Sequence, residues 1–338
     1  MSGLRQSDDS QPVAQLTQTH RHPWHLGPVA EVTPETAGWA YCGLRILSIA
    51  PGGAYELVTG GSEMAVLPLS GGPLTVDVEG QRLELDGRAT VFSAVTDWAY
   101  VPIDAEVRLS SATGAELALP AARASRRFDA TRVAADDVAV EVRGAGPATR
   151  QVTNFMSPEA FDGADKLMCV ELLTPDGNWS SYPPHRHDDS PECPVNNEEI
   201  YYFRIGTAGT TDYAPGGFAL HRTYTPEGDV DATVTVGDGD MFLVKRGYHG
   251  PCVAAPGYPL YYLNVLAGPD GQRSMAFCDD PAHHWIRDSW EHMAVDPRVP
   301  MVRSPDTQAA AGRSTSPFRR DTGQAGASSL ASDEQVQP

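Results

Sequence analysis

The stretch 182–206, YPPHRHDDSPECPVNNEEIYYFRIG, holds the residues best suited to chemistry. His185 and His187 stand one residue apart, and a Glu-led apolar run, EIYYF, follows before a glycine. Side chains at i and i+2 of a strand share one face, so both imidazoles can point into one interior and hold one ion. A carboxylate from a neighbouring strand and a third imidazole would complete the site. The best-placed third imidazole is His249, in GDGDMFLVKRGYHG. Three neutral imidazoles and a carboxylate suit a divalent ion such as Zn, Mn, Fe or Ni.

An HxH pair alone is as readily two turn histidines. The proline before it, the Glu-led strand after it and the later GYH favour the metal. His283 and His284 are adjacent and cannot share a strand face. No histidine lies between His25 and His185, so one metal per chain is expected, in the second half. Glu198 and Glu199 point to opposite faces of their strand, and both faces are apolar enough that the pattern does not choose between them.

The elements that must position these groups are strands. Runs such as LRILSIA, LTVDVEG and WAYVPI come first, then KLMCVELLT, EIYYFRI, GFALHRTY and PLYYLNVLAG. Gly, Pro and Asp punctuate them at the spacing of an all-β sandwich or barrel. Short helices are expected only at 157–164 and 281–293. Each half shows a Gly turn, a Glu-led strand ending in Gly, and a later D-G turn with an apolar strand. That weak repeat predicts two homologous barrels linked near 121–150. The expected division is a disordered 1–22, a metal-free barrel over 23–125, a metal-bearing barrel over 126–303, and a disordered tail over 304–338. Both ends are too poor in large apolar residues to offset their ordering entropy.

Composition narrows the partners. The 338-residue chain has a formal net charge of −19, with 25 basic and 44 acidic residues. Phosphate binding needs clustered Lys and Arg, so nucleic acid and anionic membrane surfaces are disfavoured, and a small molecule is expected. Cys42, Cys169, Cys193, Cys252 and Cys278 have no CxxC spacing, and the N-terminus has no apolar signal segment. These point to a cytoplasmic protein with free thiols. No glycine-rich dinucleotide fingerprint follows a strand, so no nucleotide cofactor is expected. A homo-oligomer is left open.

The order His185–Arg186–His187, carboxylate, six residues, glycine resembles the first motif of the cupins. Counting six residues onto Gly206 selects Glu199 as the ligand. The eleven residues between His187 and Glu199 exceed the usual cupin gap and imply a loop excursion over 188–198. Longer strings narrow the resemblance: SSYPPHRHD, EEIYYFRI, GFALHRTY, DGDMFLVKRGYH, APGYPLYYLNVLAG and RGAGPATRQVTNF. They resemble the 5-deoxy-glucuronate isomerases of inositol catabolism, relatives of the uronate isomerases of pectin breakdown. Lys245, His221 and Gly250 depart from that pattern, where Pro, Gln and Pro are usual.

The resemblance implies a double cupin and an aldose–ketose isomerase, taking 5-deoxy-D-glucuronate to 5-dehydro-2-deoxy-D-gluconate. It implies His185, His187, Glu199 and His249 as ligands of one divalent metal, zinc first. The reaction needs a base, for which Lys245, Tyr248, His221 and Tyr262 are candidates near the motifs. A sugar-acid carboxylate needs a local cation. Arg143, Arg150, Arg204 and Arg222 are candidates, with Arg222 and Arg204 ranked first because they lie on second-half strands. Packing or a solvent-facing position is the competing explanation for each. Two other functions compete: an iron-dependent cupin dioxygenase, separable by its need for oxygen, and a non-enzymatic sugar-binding double cupin, separable by intact binding without activity.

Overall fold

Strand runs that alternate apolar and polar residues can bury one face only by stacking sheets. The computed structural model describes residues 22–269, 271–305 and 307. The expected disordered ends, 1–22 and 304–338, lie almost wholly outside the described residues. The chain is mostly β, and every strand pairing is antiparallel.

The first half has a six-stranded sheet in the order Thr131–Val133, Trp98–Val101, Ser62–Gly71, Ala115–Arg123, Cys42–Ile49, Glu31–Val32. A four-stranded sheet of Gly53–Val58, Glu106–Ser111, Leu74–Val78 and Gln81–Leu85 stacks on it around Val66, Val76, Leu109 and Leu117. The second half has a seven-stranded sheet in the order His25–Pro28, Asp240–Val244, Glu198–Ile205, Leu260–Ala267, Met168–Thr174, Arg150–Met156, Ala139–Arg143. It faces a six-stranded sheet containing Phe218–Tyr224, Tyr248–Ala254, His185–Arg186 and Cys278–Asp279, around Tyr201, Phe203, Phe242 and Tyr262. No sheet closes into a barrel among the described residues; each half is a two-sheet sandwich.

The two large sheets pack against each other, joining Leu67, Trp98 and Tyr100 to Ile200, Tyr202, Leu243 and Tyr261. Each such fully buried side chain contributes roughly 1.5–3 kcal/mol. Two glutamates tie this seam. Glu63 accepts backbone N–H bonds from Asp165, Lys166 and Leu167 at 2.8, 2.6 and 2.7 Å. Glu198 accepts them from Ala40, Tyr41 and Cys42 at 2.7, 2.9 and 2.7 Å. Each glutamate stands at the start of the corresponding central strand of its half, Glu198 first and Glu63 second in its strand, and reaches into the other half. Gly206, at the end of the Glu198 strand, packs against the Phe92 ring, where a Cβ would come within 2.9 Å.

The sheets cut across the division expected at 23 and 126. His25–Pro28 pairs with Asp240–Val244 of the second half, and Thr131–Val133 pairs with Trp98–Val101 of the first. Of the two expected helices, 281–293 contains Ile286–Ser289 and a 3-10 turn, Trp290–His292. The other is corrected: 157–164 is a turn and bend. One turn closes where Ala160 and Phe161 donate to the Ser157 carbonyl, and Phe161 then packs edge-on against Trp98 instead of continuing a helix. The expectation of five free thiols is also corrected, because Cys193 and Cys278 form a disulfide. Cys42, Cys169 and Cys252 are free and buried. Among the described residues no helix is long and apolar enough to cross a membrane.

Candidate metal centre and its cavity

The strand Glu198–Ile205 divides its side chains between two cores. Ile200 and Tyr202 join the seam between the halves, whereas Tyr201 and Phe203 join the interior of the second half. Glu199 shares the inward face with Tyr201, which leaves Glu198 for the seam. Met64 follows Glu63 where Glu199 follows Glu198, so the equivalent place in the first half holds no carboxylate.

His187, Glu199 and His249 are buried, and one ligand atom of each lies within 4.8 Å of the others. Nε2 of His187 is 2.9 Å from Glu199 Oε2, and Nε2 of His249 is 3.1 Å from the same oxygen. His187 Nδ1 donates to the Asn197 carbonyl at 2.8 Å, a bond that presents Nε2 inward. Asn264 Nδ2 donates to the other Glu199 oxygen at 2.6 Å. His185 stands directly across the strand pair from His249, with ring centroids 4.4 Å apart. Its Nδ1 faces the Pro183 carbonyl at 3.2 Å, which likewise frees Nε2.

The excursion after His187 is a two-stranded ribbon, Asp188–Ser190 against Cys193–Asn196, in place of the expected loop. It returns Asn197 to His187, and the Cys193–Cys278 bond ties it to the strand beside His185. Gly250, after His249, has φ 89°, and a Cβ there would meet the Ser181 carbonyl oxygen at 1.8 Å. Only glycine permits that approach.

Burial lowers the His185 and His249 imidazoles below their ordinary range, so both are neutral at pH 7 and able to act as ligands. Burial also pulls His187 down, but its bond to Glu199 outweighs this and raises it. Burial opposes ionising Glu199, yet the facing His249 and His187 hold its carboxyl well below the usual range. A divalent ion fits this donor set on an observation of the site itself. His249 Nε2 is buried, makes no hydrogen bond and has only the Glu199 carboxylate 3.1 Å away, a place that a ligated cation would fill.

His187 and Glu199 of the cluster line a cavity of about 790 Å³, together with His185, Ser181, Tyr201 and Asn264. The lining also includes Glu141, Arg143, Arg150 and Arg287, the first three from the two strands at one edge of the sheet that carries Glu199. Tyr201 donates to or accepts from Ser181 at 2.8 Å, and burial and Glu199 push its hydroxyl pKa well up.

Several expected residues sit elsewhere. Arg204 pairs with Glu116 at 2.6 Å and Asp238 at 2.9 Å and lies over Tyr213, on the seam side of its strand. Arg222 pairs with Asp231 at 3.1 Å on an exposed strand face. The ranking of these two as carboxylate binders is therefore corrected, because both charges are already matched away from the cavity. None of the four candidate bases lines the cavity. Lys245 donates to the Ala37 carbonyl and lies over Trp39. Tyr248 packs on Arg186. His221 is fully buried against Cys252, with Nδ1 3.0 Å from its sulfur. Tyr262 is behind the wall and reaches it only through Ser181 at 3.3 Å. Tyr201, Asn264 and Arg287 were overlooked by motif reasoning. Alternation with Glu199 could have found Tyr201; Asn264 and Arg287 are brought in by other elements.

Known proteins match this arrangement along most of the chain. A 5-deoxy-glucuronate isomerase from Geobacillus kaustophilus is 40% identical over 268 residues, 78% of this chain and 92% of the relative. One from Bacillus subtilis strain 168 is 34% identical over 262 residues, again covering 92% of the relative. The crystal structure of an IolB-like protein from Salmonella typhimurium superposes with a TM-score of 0.69 at 30% identity, covering 77% of this chain and 95% of that one. A Bacillus subtilis oxalate decarboxylase variant, 13% identical over 74% of each chain with a TM-score of 0.52, shares the fold alone. Residues 17–286 match the KduI/IolB family, and the chain belongs to it.

Proposed function

We propose that this protein is a metal-dependent aldose–ketose isomerase that converts 5-deoxy-D-glucuronate to 5-dehydro-2-deoxy-D-gluconate in inositol catabolism. The observation that carries the reading is the similarity to isomerases of that name over 92% of their length. The buried imidazole–carboxylate cluster on a sugar-sized cavity supports it. We read the molecule as a duplicated, cupin-like chain with ligands in the second unit only. The matching strand orders and the reciprocal Glu63 and Glu198 contacts support that reading.

His185, His187, Glu199 and His249 are the proposed ligands, with zinc the first ion to test. A divalent ion held there would act as a Lewis acid on the carbonyl and adjacent hydroxyl of the sugar. The chain's own residues do the rest. Asn264 orients the Glu199 carboxylate, and the Asn197 carbonyl fixes the His187 ring. The Tyr201 hydroxyl stays protonated and offers a donor at the cavity wall, so it can support a substrate oxygen but is no resting base. Isomerisation moves one proton between neighbouring carbons and one between their oxygens, with no change in oxidation level overall.

The test is a coupled isomerase assay with 5-deoxy-D-glucuronate on stripped and zinc-restored protein under anaerobic conditions. Turnover should vanish on stripping and return with zinc. Strict dependence on oxygen, or a product at another oxidation level, would overturn the reading.

A further inference from the structure

An acyclic sugar acid has its reacting carbonyl at one end and its carboxylate at the other. A cavity that takes it needs an electrophile at one place and an unmatched cation at another. The second requirement is met by one side chain. Arg143 and Arg150 are directly opposite each other on paired antiparallel strands, and Arg287 joins them at the cavity. Arg287 and Arg150 both lie 5.4 Å from the Trp290 ring. Three cations thus converge in a protein whose net charge is −19.

Two of them are matched. Glu141 takes Arg143 at 2.8 and 3.0 Å and is further held by Asn154 at 3.3 Å. Asp279 takes Arg287 at 2.6 Å. Arg150 has no carboxylate among the described residues. It is 4% exposed, donates only to the Ala148 and Tyr182 carbonyls at 3.1 and 3.4 Å, and leaves Nε without any partner. Burial, with Arg143 and Arg287 nearby, pushes its pKa down to about 10, so it is still charged at pH 7. A buried cation without a counter-charge is costly, and a bound carboxylate would supply the missing one.

We propose that Arg150 is the carboxylate-binding residue of the cavity, taking the acid group of an open-chain sugar acid whose carbonyl end lies at His187, Glu199 and His249. The proposal rests on the isomerase reading for the identity of the reacting end, but not for the acid-binding role itself. The same side chain donates to the Tyr182 carbonyl at 3.4 Å, three residues before His185, so the acid-binding residue touches the segment that carries the first histidine.

The test measures binding by calorimetry on the full-length, zinc-loaded protein, with D-glucuronate and its neutral counterpart D-glucose as probes. The wild type should prefer the acid by roughly tenfold to a hundredfold, as a charge-assisted pair implies. Arg150→Met should abolish that preference while leaving glucose binding, zinc content and melting temperature unchanged. Arg150→Lys keeps the charge but not the fork, and should lower acid affinity about tenfold, which keeps the test decisive if the Met variant fails to fold. With 5-deoxy-D-glucuronate, the same variants should raise KM more than they lower kcat. A wild type without acid preference, or variants that retain it in full, overturns the proposal. Absence of turnover in a wild type that still prefers the acid through Arg150 would sink the isomerase reading alone.

Discussion

Glu198 and Glu199 are consecutive on one strand, and their carboxylates serve opposite sides of it. Glu198 collects three backbone N–H groups from the first half, at Ala40, Tyr41 and Cys42. Glu199 meets His187, His249 and Asn264 in the second half. One dipeptide thus joins the two halves and furnishes the candidate metal centre.

Substitution should separate those roles. Glu199→Gln should weaken metal binding by at least about a hundredfold, because the ligand loses its charge while the melting temperature changes little. Glu198→Gln should keep the metal and cost about 1–3 kcal/mol of stability, since three backbone donors lose a charged acceptor. Metal titration and thermal melts read both. A larger metal loss from Glu198→Gln would show the two faces to be reversed.

Asn264→Leu leaves Glu199 Oε1 without its donor. Metal affinity should fall about tenfold to a hundredfold, with the fold intact, as for a residue that orients a ligand. Competition with a chromophoric chelator measures this. Unchanged affinity would mean that Asn264 does not hold the carboxylate in the loaded protein.

Elemental analysis of purified protein should find about one transition metal per chain, since among the described residues the one cluster of imidazoles with a carboxylate lies in the second half. His187→Ala and His249→Ala should each reduce that content sharply. Two tightly held metals per chain would contradict the placement of the site.

Asp165 lies beside the Glu63 contact and carries a pH signature. Burial raises its carboxyl, but N–H bonds from Ser125 and Arg126 and the Arg126 guanidinium bring it down to about 2. An unfolded aspartate titrates near about 3.9. The ionised form is thus favoured by folding, and its stabilisation is complete above that value and lost as pH falls towards 2. Asp165→Asn should destabilise by about 1–2 kcal/mol at pH 7, and the gap should shrink as pH falls from about 4 towards about 2. Denaturant titrations at neutral pH and through that range test this; a pH-independent gap would rule out the linkage.

A non-reducing peptide map should join Cys193 to Cys278 and find Cys42, Cys169 and Cys252 as thiols that alkylate only after denaturation, because all three are buried. Cys193 alkylated without reductant would exclude the bond.

The sequence by itself pointed to the β class and to the second half as the place of the candidate metal centre. Those signals are local. Alternation at i and i+2 puts His185 near His187, a Glu-led strand follows, and no histidine lies between His25 and His185. Resemblance to a family then chose Glu199 over Glu198 where periodicity could not, and the sheet packing gives the reason: Glu198 faces the seam and Glu199 the cavity. What only the tertiary structure decided is the set of partners for each charge. Arg204 and Arg222 carried the same strand signals as a binding residue, yet Glu116, Asp238 and Asp231 neutralise them away from the cavity. Arg150 emerged as the unmatched cation because Glu141 and Asp279 are taken by its neighbours, a bookkeeping of charge that spans three separate elements. The Cys193–Cys278 bond, 85 residues apart in the chain, and the strand His25–Pro28, paired with Asp240–Val244, were equally out of reach. Local pattern fixes which face a side chain takes; which partner meets it there depends on how distant strands stack.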